Sequence, residues 1–305
     1  MELSQLETFL TVAREGSFSN AARALHRTQP AVSQVIARLE ETLGQPLFDR
    51  SSRRVVLTDA GQALLEHAER LLNLRRAALA DLEDVRALRA GRLAVAANEL
   101  TCIYLLPVLD EFRRLYPAVR VTVQRALASQ IPSAVLDYAV DMGVVTYRPD
   151  DPGVRSIAVY KDELAFVVPP SHPLAREKEV RIQRLAQESF VAHHVDSPYR
   201  QKVLDTFKRH KVALQMPVEM PTIDAIKRFV AMGNGVALLP AITVEHEVAH
   251  GQLVRVLVRE LTVERPLRLV LRRNGQPSNA TQAFLAVSET YANAQGGRYE
   301  FKVER

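Results

Sequence analysis

The sequence predicts a chain of the α plus α/β class: a helical N-terminal segment closed by a hairpin, one long helix, then strands alternating with helices. Three observations predict it. Apolar residues recur at helical spacing from Leu3 to Leu43. The stretch from Gln62 to Ala90 holds neither glycine nor proline. After Gly91, β-prone runs alternate with amphipathic ones, the pattern of sheets covered by helices. At 305 residues the chain is long enough for two or three domains, at roughly 100–200 residues each.

Composition narrows the class. With 47% apolar and 25% charged residues, the chain is globular rather than disordered or fibrous. Its longest uncharged run, Phe229 to Val244, contains Asn234 and Pro240 and is too short to span a membrane. Glu2 and Glu7 argue against a secretory leader, so a soluble cytoplasmic protein is expected. A single cysteine, Cys102, excludes an internal disulfide and any cysteine-cluster metal site. The net charge of +5 is uninformative about nucleic acid. Residues 1–90 hold 12 arginines, no lysine and 12 acidic groups, so the surplus lies elsewhere.

In the first segment Leu3, Leu6, Leu10 and Ala13 form a stripe widened by Phe9, and Gly16 ends the helix. A second helix is expected from near Ser19, with Ala21, Ala22 and Leu25 inward. A break at His26-Arg27 precedes Thr28, a cap residue, and Pro30, which fits a first helical turn. Val32, Val35, Ile36, Leu39 and Leu43 then face inward until Gly44. Two helices joined by a tight turn match a helix-turn-helix.

The outer face of its second helix carries Gln29, Ser33 and Ala37, flanked by Pro30, Gln34 and Arg38. No carboxylate interrupts it before Glu40, so nothing on it repels phosphate, and glutamine can pair with an adenine edge. Pro46–Arg50 and Val55–Thr58 read as hairpin strands around a tip bearing Arg50, Arg53 and Arg54. A basic tip beside a reading helix makes a wing suited to phosphates or the minor groove.

These residues carry a resemblance. Ser17-Phe18-Ser19-Asn20-Ala21-Ala22, Thr28-Gln29-Pro30-Ala31-Val32-Ser33, Leu39-Glu40, Leu43–Arg50 and Leu57-Thr58-Asp59-Ala60-Gly61 follow one ordered pattern. It resembles the winged helix-turn-helix of the LysR-type transcriptional regulators, with Gln34 where that family often places arginine. The resemblance implies double-stranded DNA as partner, contacted by Ser17, Arg27, Thr28, Gln29, Pro30, Ser33, Gln34, Arg38, Arg50, Arg53 and Arg54.

Thr58 can cap a helix reaching about Leu88, with Leu64, Leu65, Ala68, Leu71, Leu72, Leu79, Leu82 and Val85 near heptad spacing. Glu66, Arg70, Arg76, Glu83 and Arg86 occupy the opposite face. Such a stripe needs a partner. A second copy is the simplest, packing onto the chain's own sensor domain the alternative, and the resemblance favours the homodimer.

Beyond Gly91, strands are expected at Leu93–Ala97, Val119–Gln124, Asp141–Val145, Leu164–Pro169, Phe190–Ala192, Met216–Met220 and Leu267–Leu271. Helices are expected at Ile103–Tyr116 and near 199–211, 223–233 and 280–292, covering largely parallel sheets. Leu105-Leu106-Pro107, Phe112…Tyr116-Pro117, His172-Pro173-Leu174 and Gly233–Pro240 extend the resemblance. It implies two Rossmann-like lobes, as in periplasmic binding proteins, crossed near 157–163 and 266–268. The resulting division is 1–58 for DNA, 59–90 for the linker helix and 91–305 for effector binding. Lobe I takes 91–160 and 268–305, and lobe II 161–267.

Ligands of open α/β sheets sit beyond the carboxyl ends of strands. Here those ends carry Leu100, Thr101, Cys102, Ser129, Thr146, Ser197 and Thr222, the candidate effector residues. Their hydroxyls beside helix starts suit a small anion, with Arg148 or Arg200 as charge partners. Ala126 to Ala128 stand where the family commonly has a glycine. Closure of the lobes on a ligand would move the linker helices, in the resemblance within a tetramer, so an inverted-repeat operator and a homotetramer are implied. RNA polymerase is a further partner such a regulator would meet.

One motif points elsewhere. His246-Glu247-Val248-Ala249-His250 is a literal H-E-x-x-H, the zinc-peptidase pattern. Gly251 ends its helix at once and the third histidine of one zinc-peptidase group is missing, which leaves Glu264 as the conceivable third ligand. The sequence therefore reads as neither enzyme nor metalloprotein, and no cofactor is expected. Cys102 sits near a helix start, but alone it makes no two-cysteine switch.

Overall fold

A computed structural model describes residues 1–49, 55–86, 91–194 and 198–304. Among these, no helix is long and apolar enough to cross a membrane. Three helices open the chain: α1 (Leu3–Glu15), α2 (Phe18–Ala24) and α3 (Gln29–Leu43). Leu6, Phe9, Val12, Ala21, Ala22, Val32, Ile36 and Leu39 form their shared core.

Two details depart from expectation. The cap of α2 is Ser17, not a residue near Ser19, because the Ser17 hydroxyl accepts the Asn20 N–H and frees Phe18 to pack edge-on against Phe48. Leu43 is exposed rather than inward, since Gly44 turns the chain away and Leu47 and Phe48 fill the core in its place.

Strands β1 (Phe48–Asp49) and β2 (Val56–Leu57) pair antiparallel, Phe48 opposite Leu57. Helix α4 (Asp59–Arg86) follows. Thr58 fixes its start: the hydroxyl donates to the Pro46 carbonyl at 2.6 Å and accepts the Gly61 N–H at 3.0 Å. Gly61 is required for the approach, because a Cβ there would lie 2.1 Å from the Leu47 carbonyl oxygen. Ala68 is fully buried against the N-terminal core, with Leu64, Leu65 and Leu72 packed around it. Further along, Leu71, Leu74 and Leu79 are 39–49% exposed. The apolar stripe of α4 is thus covered by its own domain near Ala68 and exposed at Leu71, Leu74 and Leu79.

The C-terminal region comprises β3 (Arg92–Ala97), α5 (Glu99–Leu115), β4 (Arg120–Arg125), α6 (Ile131–Leu136), β5 (Met142–Val145) and β6 (Val154–Val168). It continues with β7 (Glu179–Val180), β8 (Ser189–His193), α7 (Pro198–Arg209), β9 (Gln215–Met220), α8 (Ile223–Ala231) and β10 (Ala237–Pro240). Helix α9 (Ala241–Ala249), β11 (Val254–Val258), β12 (Glu264–Arg272), α10 (Asn279–Gln295) and β13 (Tyr299–Glu304) complete it. The main sheet runs β4-β3-β5-β12-β6-β11-β7, with β10 and β13 also on β6.

The sheets are mixed rather than largely parallel. β3 pairs parallel with β4 and β5, and β8 with β9, but β6 is antiparallel to β10, β11, β12 and β13. The cause is that the chain crosses between lobes on strands running in opposite directions. The strand expected at Leu164–Pro169 is the second half of β6, a single strand of 15 residues. β12 pairs with it from Glu264 opposite Glu163 to Arg272 opposite Val154, with a bulge at Leu267/Arg268. Helix α5 starts at Glu99, ahead of the expected Ile103, because Asn98 accepts the N–H groups of Leu100 and Thr101. One core gathers Leu93, Tyr104, Leu105, Phe112, Leu267 and Phe284, and another Phe166, Phe190, Phe207 and Val236. These are the interiors of the two lobes.

Candidate DNA interface and effector site

The candidate DNA-facing surface is built by α3 and its cap. Thr28 accepts the Ala31 N–H, and Pro30 occupies the first turn without costing a hydrogen bond. The tight turn before it places His26 at φ 53°, a left-handed conformation that histidine adopts more readily than most residues. Gln29, Pro30, Gln34, Ala37 and Arg38 are exposed and Ser33 is half-buried. The Gln29 amide donates to the Ser33 hydroxyl at 3.2 Å, so the two share one side of the helix and the glutamine is already oriented. Arg27 is exposed in the turn, and Ser17 is spent on the α2 cap. Glu40, the first carboxylate on α3, points its charge elsewhere. It accepts the main-chain N–H groups of Leu47 at 2.8 Å and Phe48 at 3.3 Å, holding the hairpin against the helix. Arg50, Arg53 and Arg54 lie outside the described residues.

Between the lobes, the expected residues divide by what their polar groups already do. Thr101 is 1% exposed. Its hydroxyl accepts the Asn98 N–H at 3.1 Å and donates to the Val144 carbonyl at 3.3 Å, so its donor is committed inside lobe I. Leu100 packs on the second lobe's cluster with Ile223 and Val244. Cys102 is half-buried, and burial pushes its thiol above the ordinary range, away from thiolate chemistry. Ser129 is exposed on the turn Ala128–Gln130, where the Ala128 carbonyl accepts the Tyr147 hydroxyl at 2.9 Å. Thr222 caps α8 through the Ala225 N–H at 3.2 Å. Ser197 lies outside the described residues. Arg200 donates to the His193 carbonyl at 2.9 Å and to Glu219 at 2.5 Å, holding Glu219 below the usual carboxylate range.

Three residues absent from the sequence reading complete this junction. The Tyr199 hydroxyl, from the first turn of α7, donates to the Thr146 carbonyl at the end of β5, joining the lobes. The Arg265 guanidinium lies over the Tyr199 ring, 4.9 Å from its centroid. Arg265 also meets Asp162 at 2.6 Å, the two side chains only 5% and 0% exposed. Burial pushes the Asp162 carboxyl up and the Arg265 guanidinium down, and each partner's charge works against that. The second Asp162 oxygen accepts the Ile242 N–H at the start of α9. A position directly after Ser197-Pro198 could have marked Tyr199, but no local motif marks Asp162 and Arg265, which are cross-strand partners 103 residues apart.

The H-E-x-x-H residues are used by helix packing. Lys227 of α8 donates to Glu247 at 2.6 Å and to the Thr243 carbonyl at 3.2 Å. The rings of His246 and His250 stack 4.2 Å apart, with His250 Nδ1 2.8 Å from the His246 carbonyl. Among the described residues no group of three or more histidine, cysteine or acidic side chains is placed to hold a metal.

A reading helix with a wing, a long connecting helix and a two-lobed domain with a junction between strand ends define a DNA-binding regulator that senses a small molecule. Residues 3–62 match the bacterial regulatory helix-turn-helix of the lysR family, and residues 86–292 match the LysR substrate binding domain. The chain belongs to the LysR family of transcriptional regulators. It is 32% identical over 291 residues to a probable RuBisCO transcriptional regulator of Synechocystis sp., covering 93% of this chain and 84% of that one. A protein of the same description from Cyanidioschyzon merolae is 33% identical over 293 residues, covering 92% and 95%. Among solved structures, the LysR family regulator CbnR superposes with a TM-score of 0.73 at 22% identity, over 95% of this chain and 99% of that one. The CcmR regulatory domain of Synechocystis PCC6803, solved in complex with 2-PG, superposes with a TM-score of 0.59 at 25% identity, over 66% and 97%.

Proposed function

We propose that this protein is a cytoplasmic regulator that binds an inverted-repeat operator as a dimer joined along α4, and that a small anion held between its lobes controls it. The DNA contacts are assigned to Ser17, Arg27, Thr28, Gln29, Pro30, Ser33, Gln34 and Arg38, with Arg50, Arg53 and Arg54 at the wing. The effector is assigned to the space near Leu100, Thr101, Cys102, Ser129, Thr146, Ser197 and Thr222. The functional division stays at 1–58, 59–90 and 91–305, lobe II comprising 161–267.

The single observation that carries the effector reading is the Tyr199–Thr146 contact, which brings strand and helix ends of opposite lobes together. A ligand bridging that junction favours a closed arrangement by its difference in affinity for the two states. CcmR in complex with 2-PG supports a small-molecule effector at such a domain. The half-open stripe of Leu71, Leu74 and Leu79 supports pairing of two α4 helices, since a second copy can cover it. A tetramer and contact with RNA polymerase extend the same reading. Native mass spectrometry with 2-PG, alongside binding to paired and single half-sites, tests it. The expected result is one ligand per chain and tight binding only to the paired site. Equal affinity for a single half-site would defeat the dimeric reading.

A further inference from the structure

Arg265 is the cation that stands out at the junction of the lobes. Its side chain is 5% exposed, and it donates to Asp162 through one nitrogen, Nη1. A guanidinium has five N–H groups in a fixed fork. The other nitrogens of Arg265 make no hydrogen bond to a described residue. The other oxygen of Asp162 accepts the Ile242 N–H at the start of α9, so the carboxylate is held from both sides. The ring of Tyr199 lies against the guanidinium, and its hydroxyl reaches the Thr146 carbonyl of the other lobe. A guanidinium is therefore held where both lobes meet, with N–H groups that make no hydrogen bond to a described residue. Arg200, one of the two charge partners expected from the sequence, is engaged with Glu219 and the His193 carbonyl.

We propose that Arg265 is the anchor for the anionic group of the effector, its unused N–H fork taking a carboxylate or phosphate, and that Tyr199 is the positioning residue that holds the fork in place. This rests on the reading of an anionic effector between the lobes. Planar bidentate donation explains why arginine rather than lysine stands there.

The test is calorimetric titration of the full chain with 2-PG and, separately, inorganic phosphate. Arg265→Gln combined with Asp162→Asn removes both charges and keeps a hydrogen-bonding pair, so folding is expected to be retained. Affinity for the anion is expected to fall about 10–100-fold in this double variant. Arg265→Lys is expected to recover only part of it, since the charge returns without the fork. Tyr199→Phe, which leaves the ion pair intact, is expected to weaken binding about 3–10-fold. Wild-type affinity in a folded double variant overturns the assignment of Arg265 while leaving an anionic effector elsewhere in the cleft. Wild-type protein that binds neither anion overturns the assignment and the reading beneath it. If the double variant does not fold, Tyr199→Phe decides, and unchanged affinity there overturns the proposal.

Discussion

The reading face of α3 and the junction between the lobes present polar groups in opposite ways. On α3, Gln29, Gln34 and Arg38 stand outside a core they do not help to build, and the Ser33 hydroxyl accepts the Gln29 amide. At the junction, Thr101, Thr222 and Arg200 are already bonded to the chain itself, and the Asp162–Arg265 ion pair is buried. A surface that reads DNA is separable from the fold. A cleft that closes on a ligand is made of the fold, so substitutions there change stability and binding together.

The widest separation comes from Asp162→Ala. It leaves the Arg265 guanidinium buried without its carboxylate, and a loss of about 3–5 kcal/mol is expected. Urea unfolding measures it, and a change within error would mean that the pair is solvated rather than buried. Gln29→Ala is expected to cost about 1–3 kcal/mol of base discrimination with no change in unfolding. Operator preference unchanged in a competition binding assay would move the reading face off this side of α3. Thr101→Val keeps the volume but removes the cap and the bond to Val144, so about 1–2 kcal/mol of stability is expected to go. If effector affinity fell without any change in thermal midpoint, Thr101 would be a direct ligand and the contrast between the two regions would narrow. Arg70→Ala is the smallest. Its ion pair with Asp137 at 2.6 Å joins α4 to lobe I but is half-exposed, so at most about 1 kcal/mol is expected from a double-mutant cycle with Asp137→Ala.

The two regions also differ in how much of them the sequence discloses. Helix-turn-helix chemistry is local: Thr28, Pro30 and Gly44 bound α3 by backbone rules, and its outer face follows from a period of 3.6 residues. The errors there, Ser17 as cap and Leu43 exposed, are displacements of a residue or two at helix ends. In the C-terminal region the seven expected strands coincide with observed ones, but β7, β10, β11 and β13 are not among them and the strand directions are not legible. The antiparallel pairing of β6 with β12 depends on segments about a hundred residues apart, and no local pattern records it. For the same reason Thr101 is legible as a hydroxyl at a helix start, whereas the Val144 carbonyl that takes its proton, 43 residues on, is not. Asp162 and Arg265 become neighbours only through that pairing.

The shared ladder of β6 and β12 has a mechanical consequence. Two separate threads would let the lobes swing with little resistance. A hydrogen-bonded ribbon of nine residue pairs resists bending in its plane and yields by twisting, most easily at the bulge beside Leu267. The lobes are then coupled by a torsion element, which returns them to one resting angle when no ligand holds them. The amides of this ribbon should exchange with solvent more slowly than those of the strand ends it connects.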